Sequence, residues 1–430
     1  MINTGKKEAL ILLFGDLILF VVSLWLTLFI RYNEWPDQDI FVSHLKPFLL
    51  LFVFWVLVFF ISGLYDKQTN AFKQKLPGVI FNAQLVNSII AVLFFYFIPY
   101  FEIAPKVNLF IYLLITIVSI SAWRIFLVEY IYLRRSENVL MVGLGKETDE
   151  IEVEIRANKK YGLTVFNKVP VLTEAALGDV PKRVFTIITD INKAPSSLIF
   201  SNVKFIDLND LYENIFDKVA LSNLSDAWFL KNISNYQKFV YDFLKRAMDI
   251  VASLIIGLVS LPLYPLVWLA IKIDDGGPVF IVQDRIGQGN KIMKIIKFRS
   301  MTASDSGKWV VKDDNRITRV GKFLRKSRID ELPQLLNILR GDLSLIGPRP
   351  DITDLGLKLR EEIPYYTMRN LIKPGLSGWA QIHQDLPPQS VEETKERLAY
   401  DFYYLKNRSF VLDMQIALKT IKTLLSRAGL

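Results

Sequence analysis

Residues 325–350 read RKSRIDELPQLLNILRGDLSLIGPRP, with the adjacent carboxylates Asp330 and Glu331 near their start. Leu332, Leu335, Leu336 and Leu339 fall at i, i+3, i+4 and i+7, which predicts a short amphipathic helix ending near Gly341. Pro333 fits only its first turn, where a missing N–H costs nothing, so the two acids stand at the N-terminal end beside unpaired amides. Partial positive charge at that end keeps carboxylates ionised and attracts phosphate. Arg325, Lys326 and Arg328 add full positive charges just before it. An isolated Asp-Glu pair with a basic flank is ordinarily a solvated cap; the rest of the chain gives this one a different context.

A chain of 430 residues exceeds one ordinary domain, and 51% hydrophobic content with 13% aromatics predicts a membrane protein. The net charge of +9 marks a cytoplasmic face and anionic ligands rather than nucleic acid. Without cysteine there is no disulfide, no thiolate zinc site and no cysteine nucleophile. Histidine occurs only at His44 and His383, far apart in the chain, so a metal would be a hard cation on carboxylate oxygens, Mg²⁺ above all with Mn²⁺ as a substitute. His383, in a polar loop, reads as an ordinary loop residue.

Four apolar segments open the chain, at about 9–30, 47–64, 79–98 and 107–131, each long enough to cross about 30 Å of hydrocarbon. Lys6 and Lys7 before the first, Lys67, Lys73 and Lys75 in the second loop, and Arg134 and Arg135 after the fourth put the N-terminus and everything after 135 in the cytoplasm. The first segment is too long, and lacks the cleavage site, for a removable signal. From Asn138 the pattern becomes that of an α/β unit: Val139–Val142 as a strand, Gly143 and Gly145 as the turn, 147–160 as a helix, and further strands at 184–188 and 203–206. The glycine fingerprint of a dinucleotide site is incomplete, and Asp149 and Glu150 stand where a phosphate would approach. A structural or regulatory module is the expectation. Tyr241 and Lys245 match a dehydrogenase spacing by chance.

Residues 247–272 form a second membrane signal, interrupted by Pro262 and Pro265. A simple fifth span would carry the remainder of the chain outside, away from nucleotide-activated substrates. Positive charge on both flanks predicts instead a re-entrant helix hairpin with its kink near Ser260 and Pro262. Residues 274–430 are basic and rich in turn signals, with short helices and loops expected rather than a regular sheet. The final segment, 410–425, reads either as an interfacial helix or as one packed on the domain's own core.

The motifs after 240 resemble those of the bacterial sugar transferases, also called monotopic phosphoglycosyl transferases. They run in order: Lys245-Arg246 with Asp249; Gly277-Pro278-Val279-Phe280; Gln283 with Arg285 and Gly287; Lys297-Phe298-Arg299-Ser300-Met301; and Asp314 with Arg316, Thr318 and Gly321. Asp330-Glu331-Leu332-Pro333-Gln334, Gly347-Pro348-Arg349-Pro350, and Pro374-Gly375 before Gly378-Trp379-Ala380-Gln381 complete the series. The whole chain resembles the long form, the undecaprenyl-phosphate galactose or glucose phosphotransferases of exopolysaccharide and O-antigen synthesis. That resemblance implies four transmembrane helices over 1–135, a Rossmann-like α/β module over 136–235 and a mixed, mostly helical catalytic domain over 236–430 with its membrane hairpin at 247–272. It implies Asp330 as nucleophile, Glu331 as a ligand of Mg²⁺ at the pyrophosphate, and Lys297, Arg299, Arg325 and Arg349 as phosphate-binding cations. Many relatives carry an arginine shortly after the Gln of the Trp-Ala-Gln segment; here His383-Gln384-Asp385 follows, and Arg369 or Arg397 becomes the candidate for that contact.

The expected substrates are a UDP-sugar and undecaprenyl phosphate at the inner membrane's cytoplasmic face. The expected assembly is a homodimer, with polysaccharide-assembly proteins as possible associates. A carboxylate attacking the β-phosphorus would form an acyl phosphate and release UMP, and lipid phosphate would then displace the carboxylate. The competing readings are a lipid glycosyltransferase releasing UDP, a silent membrane scaffold, and a membrane-anchored dehydratase or epimerase using the α/β module.

Overall fold

The computed structural model describes residues 4–65, 76–97, 106–124, 137–158, 161–171, 186–190, 204–233, 239–302, 316–384 and 386–425. Lys67, Lys73, Lys75, Arg134, Arg135, Asp314 and Asp385 lie outside them. The contacts divide the chain into two compact units, residues 1–215 and 216–430.

In the first unit, helices α1 (Thr4–Tyr32), α2 (Gln38–Ile61), α3 (Leu76–Phe97) and α4 (Lys106–Ala122) follow the expected apolar segments. Stretches within the first three, Leu10–Tyr32, Gln38–Ile61 and Gly78–Phe97, are long and apolar enough to cross a membrane. The described part of α4, with 17 residues, spans about 26 Å. The seam between these helices is aromatic: Phe20, Phe48, Trp55 and Tyr112 are fully buried, while Phe14, Ile18, Leu49, Phe54 and Phe81 face outward. Apolar side chains on the outside as well as the inside are what a lipid environment requires. A buried ion pair joins α1 to the end of the fourth segment: Arg124 Nη2 meets Asp16 Oδ2 at 2.5 Å, and Arg124 Nη1 donates to the Leu64 carbonyl at 2.6 Å.

The remainder of this unit is a parallel sheet in the order β2-β1-β3-β4: β1 (Glu137–Val142), β2 (Leu163–Val169), β3 (Thr186–Thr189) and β4 (Lys204–Asp207). Strand β1 is central and its last four residues are buried, as a parallel strand covered on both faces must be. Helix α5 (Lys146–Ala157) buries Ile151 and Ile155 and turns its charged residues outward. Helix α6 (Leu208–Phe216) follows β4 directly.

The second unit includes α7 (Asp226–Asn232), whose Phe229 packs with Phe402, Leu398, Trp379 and Ile416 in its main core. Helices α8 (Phe239–Ser260) and α9 (Leu263–Asp274) meet at a 60° bend. Ser260 Oγ folds back onto the Gly257 carbonyl at 3.0 Å, Pro262 caps α9, and Pro265 sits in the first turn of α9, where it displaces no hydrogen bond. Polarity along this pair is inverted: Asp249, Ser253 and Ser260 are buried, whereas Val251, Leu254, Ile255, Leu258, Val259 and Leu266 are exposed. An antiparallel hairpin follows, β5 (Phe280–Ile286) against β6 (Ile292–Phe298). Helix α10 (Arg319–Lys326) then leads to a 3₁₀ turn (Ile329–Gln334), α11 (Leu335–Arg340), strand β7 (Ser344–Ile346), α12 (Thr353–Glu362) and strand β8 (Gly375–Ser377), which pairs with β7 in parallel. Helices α13 (Val391–Asn407) and α14 (Phe410–Leu425) close the described chain. Helix α14 buries Leu412, Asp413 and Ile416 in the unit's core and leaves Val411 exposed, which favours the core-packed reading for that face. Tyr241 and Lys245 both reach Asp413, at 3.0 Å each, so their dehydrogenase-like spacing serves packing.

Candidate active site

The chain reaches the Asp330-Glu331 pair through a sharp reversal. Thr318 caps α10 by accepting from the Gly321 N–H at 2.9 Å, and Asp274 accepts from the Val320 N–H at 2.9 Å. Gly321 lies against the Ser300 carbonyl, where a Cβ would stand only 2.0 Å from the oxygen, so α10 crosses the end of the β-hairpin by backbone contact. After Ser327, Arg328 adopts the left-handed conformation, φ 57°. That conformation is strained for a residue with a Cβ. It turns the next residues inward, and Asp330 and Glu331 are both buried.

The reversal also corrects the expected helix. Residues 329–334 form a 3₁₀ turn and the α-helix begins only at Leu335, so the buried face is Leu335 with Ile338, Leu336 is half exposed and Asn337 is buried. Three residues per turn at the start advance the face relative to an α-helix counted from Asp330. The end at Gly341, φ 93°, is as the sequence predicts. Buried Asn337 bonds to both backbone groups it faces, its Nδ2 donating to the Lys294 carbonyl at 2.7 Å and its Oδ1 accepting from the Ile296 N–H at 3.2 Å. It thereby fixes α11 to β6 and places Lys297 opposite the two acids.

Around the pair the charges alternate. Arg349 Nη2 donates to Glu331 Oε1 at 2.6 Å, and Arg328 Nη1 reaches the same oxygen at 3.4 Å. Burial by itself would raise the Glu331 carboxyl, but Arg349, Arg328 and Lys297 outweigh it and hold it well below the usual carboxylate range. Asp330 goes the other way. Burial and the adjacent Glu331 charge push its carboxyl up to about 6, against Lys297, Arg328 and Arg325. Its Oδ1 is enclosed yet has no hydrogen-bond partner. Lys297 is lowered to about 7, by burial and the like charge of Arg285, against the pull of Glu331. Two neighbouring carboxyls with opposite fates are the signature of divided roles: one permanently charged and gripped, the other basic and unencumbered. A small cleft lined by Arg285, Lys297, Gln334, Arg349 and Gly375 opens beside them.

The remaining site candidates separate into two groups. Arg325 lies near enough to Asp330 to lower its carboxyl, and its Nη1 contacts the Met301 sulfur at 3.1 Å. Arg299, by contrast, is ion-paired with Asp275 at 2.8 Å and stacked under Gly277, where a Cβ would meet the guanidinium carbon at 2.5 Å. Arg369 is fully buried behind the site. Its Nε donates to Asp401, its Nη1 to Asp351 and its Nη2 to the Arg349 carbonyl at 2.9 Å. In this structure the nitrogens of Arg369 are all taken by protein acceptors and hold Arg349 in place, while Arg299 is held by Asp275 and the Thr302 carbonyl. Ser260 and Pro262 stand at the bend between α8 and α9.

The sequence reading placed Arg246 at a membrane flank and Asp249 in the motif series, without the contacts that they make. Arg246 donates from Nη1 to the Ile338 carbonyl at 2.7 Å and from Nη2 to the Leu339 carbonyl at 2.8 Å, capping α11 at its negative end. Asp249 accepts from Ser344 Oγ at 3.1 Å and from the Leu345 N–H at 2.9 Å. Their spacing of three residues at the head of an apolar helix was the available signal, since it puts both charges on one face.

Among the described residues, no three acidic or histidine side chains gather to form a metal cage. The donor set is the Asp330-Glu331 pair with its one unsatisfied oxygen. This fits Mg²⁺, which takes one or two carboxylates and fills its remaining positions with water and phosphate oxygens.

Residues 240–427 match the family model of the bacterial sugar transferases. A UDP-N-acetylgalactosamine-undecaprenyl-phosphate N-acetylgalactosaminephosphotransferase of Aeromonas hydrophila is 44% identical over 197 residues, which are 44% of this chain and 45% of that protein. A UDP-glucose:undecaprenyl-phosphate glucose-1-phosphate transferase of Caulobacter vibrioides is 40% identical over 189 residues, 43% of this chain and 71% of its own. An exopolysaccharide production protein of Rhizobium leguminosarum bv. phaseoli is 41% identical over 192 residues, 43% of this chain and 96% of its own. The chain thus spans less than half of the Aeromonas relative and nearly all of the Rhizobium one, and in each case 43–44% of this chain is matched. With the reversal at Arg328, the buried acid pair and its ring of cations all inside the matched stretch, this chain belongs to the bacterial sugar transferase family.

Proposed function

We propose that this protein transfers a hexose-1-phosphate, or its N-acetylated counterpart, from a UDP-sugar to undecaprenyl phosphate through a covalent intermediate on Asp330. The observation that carries the reading is the buried, unpartnered Asp330 Oδ1 beside a Glu331 already neutralised by Arg349. A raised carboxyl is a better nucleophile than an ordinary aspartate, and at neutral pH it is still ionised.

In the first step an Asp330 oxygen attacks the β-phosphorus. The new O–P bond forms as the bond to the bridging oxygen breaks, and that oxygen leaves with UMP. In the second step a phosphate oxygen of the lipid attacks the same phosphorus, the Asp330–P bond breaks, and the carboxylate is restored. One pyrophosphate linkage replaces another, so no external energy source is needed. Lys297, Arg325 and Arg349 offset the charge on the phosphate oxygens, and Glu331 keeps Arg349 pointed at them. Glu331 would also hold Mg²⁺, which when bound supplies further charge neutralisation at the pyrophosphate.

The outward-facing apolar side chains of α8 and α9 support a membrane-embedded pair, and its bend supports the re-entrant hairpin. In that arrangement the catalytic unit stays on the cytoplasmic face of the inner membrane, where a soluble donor and a lipid acceptor use one interfacial site in turn. The four apolar helices and the parallel sheet, read as a Rossmann-like module, complete a three-part protein that acts as a homodimer. Turnover of a panel of UDP-sugars with Mg²⁺ and undecaprenyl phosphate tests the reading. UMP and a lipid diphosphosugar are the expected products; UDP with a lipid monophosphosugar would replace this reading with direct glycosyl transfer.

A further inference from the structure

The side chains that line the cleft beside the acid pair donate hydrogen bonds and, with one exception, cannot accept them. Arg285, Lys297 and Arg349 carry only N–H donors, and Ile295 and Pro350 supply apolar wall. The Pro350 carbonyl already accepts from Arg285 Nη1 at 3.1 Å. The exception is Gln334. It is only 4% exposed, yet among the described residues its amide has no hydrogen-bond partner, neither as a cap of α11 nor elsewhere. An amide enclosed this far costs stability unless something bonds to it, and a ligand in the cleft would relieve that cost.

The turn that carries Asp330 also sets the place of Gln334. Residues 329–334 are 3₁₀, in which side chains three apart eclipse, so Gln334 stands over Glu331. Glu331 is gripped by Arg349 at 2.6 Å, and Gln334 therefore borders the cations that would take up a phosphate. A phosphate brings only acceptor oxygens. It satisfies the cations and leaves Gln334 Oε1 without a donor, so the donor must come from the part of the substrate beside the phosphorus. In-line attack by Asp330 puts the leaving UMP, with its ribose and uracil, on the opposite side of the phosphorus. A polyprenyl phosphate enters where UMP left and adds only acceptors and hydrocarbon. The sugar stays beside the phosphorus in both steps. Its nearest donor is the group on C2, next to the anomeric carbon: an O–H in a hexose, an N–H in an N-acetylated one.

We propose that Gln334 Oε1 accepts from the C2 O–H or N–H of the sugar phosphate being transferred, and so selects sugars that carry a hydrogen-bond donor at C2. This rests on the proposed transfer through Asp330 and adds to it a determinant of which sugars are carried.

The test uses the full chain in nanodiscs with Mg²⁺ and a polyprenyl phosphate acceptor. Nucleotide release is followed from UDP-glucose, UDP-galactose and their N-acetylamino counterparts, and from UDP-2-deoxyglucose and UDP-2-deoxygalactose, which lack the C2 donor. Wild type should favour its best natural donor over the 2-deoxy analogue of the same hexose by at least about fivefold in kcat/KM, the worth of one hydrogen bond to a buried amide. Gln334→Met, close in length and volume, should cut that preference by about five- to tenfold, through a lower kcat/KM for the natural donor. It should leave UMP affinity within about twofold and not lower the unfolding temperature of the free protein. A wild type that uses both donors equally overturns the proposal, and that arm needs no variant to fold. So does an unchanged preference in Gln334→Met, whether or not the variant unfolds earlier, or a loss of UMP affinity as large as the loss in kcat/KM, which would put the amide on the nucleotide. Failure of the parent reading looks different: UDP, not UMP, would be released from every donor that turns over.

Discussion

Replacing Lys297 by Arg tests the electrostatics of the site most sharply. In the wild type Lys297 is lowered to about 7 and Asp330 raised to about 6, so activity requires Asp330 to have lost its proton and Lys297 to have kept one. The rate of UMP release, as kcat/KM for the UDP-sugar, should rise through pH 6 and fall above pH 7, with both limbs belonging to the coupled pair. For a group titrating near 7 the protonated fraction is about one half at pH 7 and about 3 per cent at pH 8.5, a fall of about fifteenfold. Arginine stays protonated throughout that range. Lys297→Arg should therefore keep the acid limb and lose the alkaline one, falling by less than about twofold over the same interval. An alkaline limb that persists unchanged in the variant would refute the assignment of Lys297 as the group that titrates there.

The same shifts have a stability consequence with opposite signs. The depressed Lys297 contributes stability that is present above its unfolded value and lost as pH falls through about 7, whereas the raised Asp330 contributes stability present below its unfolded value and lost as pH rises through about 6. Lys297→Met should accordingly gain most over wild type at pH 5–6 in a thermal melt. Arg369→Met should cost about 3–5 kcal/mol, because it removes the ion-pair partner of buried Asp401 and of partly buried Asp351; chemical denaturation of the second unit's transition checks this. Gly321→Ala should lower expression and melting temperature, since the added carbon meets the Ser300 backbone rather than a side chain that can move aside, and Gly78→Ala, with open space around it, should be neutral.

Composition and hydropathy made the N-terminal helices and the broken membrane pair readable, because a run of apolar residues as long as a bilayer is thick has few other uses. Strand β1 was equally plain, being buried on both faces. Strand β2 was missed: only Val165 is buried, and an edge strand with polar residues on both faces carries no alternation to read. The acid pair was legible from its neighbours in sequence. The register of the helix after it was not, since the left-handed Arg328 and the 3₁₀ turn are set by packing against β6 through Asn337, some 40 residues away. The contacts of Arg299 with Asp275 and of Arg369 with Asp401 were likewise not legible, since they join residues 24 and 32 positions apart and leave no local trace. Arg246 illustrates the converse, a charge read as a membrane flank that also caps the helix following the acid pair.

The most direct test of the covalent mechanism is nucleotide release by the purified protein with Mg²⁺ and a UDP-sugar panel, with no lipid acceptor present. The account predicts a single burst of UMP stoichiometric with protein, a hexose phosphate retained on Asp330 by intact mass, and neither in a folded Asp330→Asn variant. Release of UDP, or of UMP only once polyprenyl phosphate is added, would contradict it.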